Sequence, residues 1–95
     1  MAVTDKNFYT PYIRVHTAAM SSAETGVFDS IAVSSDTATD DATVDVIPIG
    51  QSAVSTIKLS SGDTVHGPFT SYEVTAVTDS ATTVIVHERT KIITN

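Results

Sequence analysis

Thirty-six of the 95 residues are branched at Cβ, as 16 Thr, 12 Val and 8 Ile, against a single leucine, Leu59. Such side chains lose rotamer freedom in a helix but sit well on a pleated surface, and the long helix formers that would offset them are scarce here. The composition therefore predicts an all-β fold. A chain of 95 residues has room for one domain with one modest core. The absence of cysteine excludes disulfides, thiolate-bound zinc, iron–sulfur clusters and thiol nucleophiles together.

Charge narrows the range of partners. Five basic residues stand against 11 acidic ones, and the resulting formal charge of -6 opposes contact with phosphate backbones or anionic lipid. Nucleic acid and membrane are therefore not expected partners. The opening MAVTDKNFYTPYIRVH has an early acid and no apolar run, so it does not read as a signal peptide. No segment approaches the roughly 20 apolar residues of a membrane helix. A soluble protein made in the cytoplasm is the expectation.

Residues 1–26 differ in pattern from the rest and read as an extended N-terminal arm, in which only Tyr12 to His16 resembles a strand. Pro11 biases Thr10 toward extended geometry. Residues 27–95 form the β domain, with short β-rich runs and turn chemistry alternating as in a sandwich or small barrel. The expected strands are Val27 to Ser34, Thr43 to Ile49, Val54 to Ser60, a long strand after the Gly67-Pro68 break, Thr83 to Glu88, and a short Lys91 to Thr94. A hairpin is expected at Ser61, Gly62 and Asp63, and a second at Asp79-Ser80, which pairs Thr83 to Glu88 with the long strand. The fold expected is a small antiparallel β-sandwich or partly open β-barrel. Its predicted core is Phe28, Ile31, Val33, Val44, Val46, Ile57, Leu59, Phe69, Tyr72, Val74, Val84 and Val86.

No catalytic motif is present. His16, His66 and His87 are far apart in sequence and form no HxH or HExxH pair, although adjacent strands would bring His66 near His87. The acids Asp36, Asp40, Asp41 and Asp45 lack the glycine and terminal glutamate of a calcium loop and read as a solvated turn. Neither a GxSxG elbow nor a GxxxxGK loop occurs, so no catalytic residue, cofactor or metal ligand is assigned and no enzyme activity is expected. Phe8, Tyr9, Tyr12 and Arg14 are the candidate interface residues, because aromatic rings and arginine concentrate at interface centres. The competing reading closes one end of the chain's own core with the same rings.

The unit SSGDTVHGPFTSYEVTAVTDSATTVIVHE, with the preceding FDSIAVSSDTATDDATVDVIPI, resembles small virion structural proteins of tailed bacteriophages, both capsid decoration (cement) proteins and spike-base proteins. The likeness covers roughly residues 27 to 90 and consists of the order of strands, a Gly-Asp hairpin, a Gly-Pro kink and a last Thr/Val-rich hairpin. It implies a non-enzymatic homo-oligomer, a trimer or larger ring, that binds the major capsid protein or other shell subunits at the capsid surface of the virion. A tail or spike-base connector is the alternative, and a carbohydrate-binding or ligand-binding β-sandwich the second alternative.

Overall fold

In the computed structural model the backbone is described for residues 8–92 and the side chains for residues 12–89. Six strands run in the order β1 (Phe8–His16), β2 (Glu24–Ser34), β3 (Asp41–Pro48), β4 (Val54–Ser60), β5 (Thr64–Val77) and β6 (Thr83–Ile92). All join one antiparallel sheet with the spatial order β1-β6-β2-β5-β3-β4. The expected all-β class holds, as one open sheet. Among the described residues no helix is long and apolar enough to cross a membrane.

One face of this sheet is dry. Phe28, Ile31, Val44, Tyr72, Val74, Val84 and Val86 are all 0% exposed. No helix among the described residues covers them, so the sheet must curl until its own strands bury that face, the geometry of a partly open barrel. Eleven of the twelve predicted core residues lie in this cluster. Ala42 takes the remaining place, and Ile57 packs against it half-buried.

Curling requires bulges, and the sequence supplies them with threonine. On β5, Thr70 is skipped between the pairs Pro48↔Phe69 and Ile47↔Ser71, and Thr75 between Val44↔Val74 and Thr43↔Ala76. Each skipped residue leaves a β3 carbonyl beside its own side chain. The Thr70 hydroxyl donates to the Ile47 carbonyl at 3.2 Å, and the Thr75 hydroxyl donates to that of Thr43 at 3.2 Å. The second bulge reverses the facing of the residues beyond it: Ala76, which unbroken alternation would place beside Tyr72 and Val74, is exposed, and Val77 packs on the core. A similar shift between Phe28 and Ser30 puts Phe28 and Ile31 on the same side.

Both expected hairpins are corrected. Thr83 to Glu88 pairs with β1 and β2 rather than with β5, because β2 lies between them. At the Ser61-Gly62-Asp63 reversal the chain does turn, with Gly62 at φ 93°. The Asp63 amide closes the turn by donating to the Ser60 carbonyl at 2.9 Å, but the return bond of that rung is not made. The Ser60 amide is taken by the Asp63 carboxylate at 2.9 Å, and the Asp63 carbonyl accepts from Val33 of β2 at 3.1 Å. β4 then follows β3 and β5 follows β2, so the two strands diverge. Only β3 and β4 neighbour each other both in sequence and in space.

The expected arm is corrected in the same way. β1 is an edge strand hydrogen-bonded to β6 along its whole length, and the boundary at residue 26 falls inside β2. The reason is the unbroken β6, which continues past Glu88 through Ile92 and so gives residues 8–11 a partner. Met1 to Asn7 and residues 93–95 lie outside the described residues, as does the end of the expected Lys91 to Thr94 strand.

Candidate interaction surface

The sheet has two edges, β1 and β4, and they are finished differently. Midway along β4 Thr56 takes a left-handed φ of 61°, and its amide is capped by the Asp45 carboxylate at 2.8 Å instead of a β3 carbonyl. A bulge of this kind, next to the exposed Lys58, is how proteins blunt an edge against further pairing. β1 carries Pro11, which lacks an amide hydrogen, but from Tyr12 to His16 its backbone is intact. On its outer face Ile13 and Val15 are 54% and 58% exposed.

The inner face of β1 is polar. Arg14 stands opposite Val86 in register and reaches along the sheet to donate to Glu88 at 2.6 Å and to Glu24 at 3.4 Å. The hydrogen bond to Glu88 holds the Arg14 proton more firmly than usual, against a smaller opposing cost of burial. Two residues on, His16 meets the Tyr72 hydroxyl at 2.6 Å, and Tyr72 packs edge-on against Phe28 with ring centroids 4.7 Å apart. Burial lowers the His16 pKa below its ordinary 6.5, with Arg14 adding to the effect, and burial pushes the Tyr72 hydroxyl up to about 12. His16 and the Tyr72 hydroxyl thus share one hydrogen bond, with the direction set by the imidazole tautomer. This cluster closes one end of the curled sheet, helped by Met20, whose amide donates to the Val74 carbonyl at 2.8 Å.

Of the four predicted interface residues, the structure divides the described pair. Tyr12 is 54% exposed and lies under the Arg14 guanidinium, 5.7 Å from its ring centre. Arg14 is engaged inward. Phe8 and Tyr9 belong to β1, but their side chains lie outside the described residues. Of the other aromatics, Phe28, Phe69 and Tyr72 are buried in the core.

The remaining candidates are structural in their contacts. Asp40 is buried and accepts from the Ser35 hydroxyl at 2.6 Å, Asp41 pairs with Lys58 at 3.4 Å, and Asp36 meets Thr37 at 3.3 Å. These carboxylates finish turns and strand ends. His66 and His87 do not adjoin: both stand opposite Ser30, one from β5 and one from β6, so a strand lies between them. Among the described residues no group of three or more His, Asp or Glu is placed to hold a metal ion.

At the other end of the sheet, the divergence of β4 and β5 leaves a cleft of about 440 Å³. Val46, Ile49, Val54, Ile57, Val65 and Phe69 form most of its walls. Its lining contains no acid, and its polar side chains are Gln51 and His66. Sequence reasoning missed this cleft because it arises from the unzipped hairpin. It also missed the Arg14 and His16 contacts, for which the alternation of Arg14 and His16 with Ile13 and Val15 was the available signal.

Compared with protein-family models, with curated proteins and with solved structures, the chain finds no match.

Proposed function

We propose that this chain is a non-enzymatic structural protein of a tailed-phage virion, a capsid decoration (cement) protein that binds the assembled head shell as a homo-oligomer. The observation that carries the self-associating part is the β1 edge: intact backbone from Tyr12 to His16 with Tyr12, Ile13 and Val15 all more than half exposed. An edge of this kind is a template for another strand, and repeated copies multiply weak contacts through effective concentration. The assignment to a virion is supported by the sequence likeness alone. Binding only the assembled shell would stabilise it by mass action.

Imaging separates the readings. Particles produced from the genome that encodes the chain, with and without its gene, are compared by cryo-electron microscopy. Density on the head that vanishes with the gene supports the cement reading, and density at the tail or spike base supports the connector. Identical particles in both preparations would reject a virion role.

A further inference from the structure

Two apolar surfaces of the described fold are left without cover, and they sit at opposite edges of the one sheet. One is the outer face of β1, where Ile13 and Val15 project beside half-buried Ile85. The other is the cleft between β4 and β5, with Ile49 47% and Val54 44% exposed at its mouth. The cleft is flanked by unused backbone. Thr64 to His66 pair with β2 on one side, while β3 reaches β5 only from Phe69 onward, so the other side of this stretch has no strand beside it among the described residues. Unpaired strand backbone beside an apolar slot is the requirement of an added strand rather than of a compact ligand.

We propose that the cleft receives the β1 edge of a second copy of this chain, which lies along Thr64 to His66 and turns Ile13 and Val15 into the slot. This rests on the self-association advanced above and specifies its geometry. Charge favours a second copy at this contact. The chain has 11 acids, yet none falls in Phe8 to His16 and none lines the cleft, so this contact brings the two acid-free surfaces together and keeps the net charge of -6 per chain at the periphery. Edge finishing points the same way. The bulge at Thr56 blocks a flat β1-to-β4 pairing, and a symmetric β1-to-β1 pairing would leave the cleft open. Because the two surfaces differ, the contact is heterologous and builds a ring, or a filament where the rotation does not close.

Mixing tests this geometry. Ile13→Glu removes the donor surface and Val54→Glu the acceptor surface, both at exposed positions that leave the core intact, with circular dichroism as the check on folding. Native mass is measured for the wild type, for each variant and for their mixture. The expected result is an oligomeric wild type, two monomeric variants, and a mixture that forms a two-chain complex and nothing larger, since Val54→Glu keeps a working donor and Ile13→Glu a working acceptor. An oligomer that Ile13→Glu disrupts and Val54→Glu does not would mean β1-to-β1 pairing and overturn the proposal. Variants that both stay oligomeric, or a mixture that stays monomeric, would overturn it while leaving self-association standing. A monomeric wild type at high concentration would remove both, leaving the cleft to a foreign partner.

Discussion

Tyr72 is the residue whose two halves separate core packing from the polar closure of the sheet. Its ring is 0% exposed and packs on Phe28, while its hydroxyl reaches His16 at 2.6 Å. Tyr72→Phe keeps the ring and removes the hydroxyl. His16 is half-buried and regains water on one side, so the loss is that of one net hydrogen bond, about 0.5–1.5 kcal/mol. For a domain of this size 1 kcal/mol lowers Tm by about 4–8 °C. Tyr72→Ala also removes the ring and leaves a cavity, which costs about 3–5 kcal/mol. Total stability for 95 residues is on the order of 5–14 kcal/mol, so this second variant is close to unfolding while the first is not. Urea unfolding followed by far-ultraviolet circular dichroism measures both, and His16→Ala completes a double-mutant cycle. A coupling of about 0.5–1.5 kcal/mol between positions 16 and 72 is expected. Strict additivity, or a Tyr72→Phe variant as stable as the wild type, would refute the idea that the hydroxyl ties β1 to the core.

Single contacts supply three further predictions. Because the His16 pKa is lowered in the fold, stability from the neutral ring is present above the unfolded value of 6.5 and is lost as pH falls below it; His16→Gln flattens that part of a stability-against-pH curve measured by urea titration. Gly67→Ala places a Cβ 2.6 Å from the Phe28 carbonyl oxygen and 2.7 Å from the Phe69 amide nitrogen, both backbone atoms, and destabilises by about 1–3 kcal/mol in the same assay. Thr56→Gly relieves a left-handed β-branched residue and raises the unfolding free energy by about 0.5–1 kcal/mol once the entropy of glycine is subtracted, read as a higher urea midpoint; a lower midpoint would show that Thr56 is not strained.

Alternation encodes facing, and this sets how much of the fold is legible in the sequence. Val44 and Val46 on β3, Val84 and Val86 on β6, and Leu59 on β4 are buried as their period of two indicates, because within a strand facing is local. Pairing is not local. The Gly62 reversal is legible as a turn, but nothing in Ser60 to Asp63 announces that the Asp63 carboxylate takes the Ser60 amide and releases β5 to β2. Simple alternation puts Ala76 on the wrong face because Thr75, an ordinary strand residue in sequence, is the one that bulges. The sequence understates β1 since Phe8 to Pro11 lacks a clear alternation and gains its strand from the extra length of β6. Of the candidate surface, the aromatic and arginine content of residues 8–14 draws attention to β1. The apolar residues that strand exposes, Ile13 and Val15, read instead as ordinary strand filling, because their side chains face outward from an edge that the sequence does not identify as one.

Self-association is the claim on which the rest depends, and sedimentation velocity of the unmodified full chain from low micromolar to several hundred micromolar measures it directly. The predicted result is a concentration-dependent mass that rises to at least three times the 10.0 kDa of one chain. A single species of one chain's mass across the whole range would contradict it.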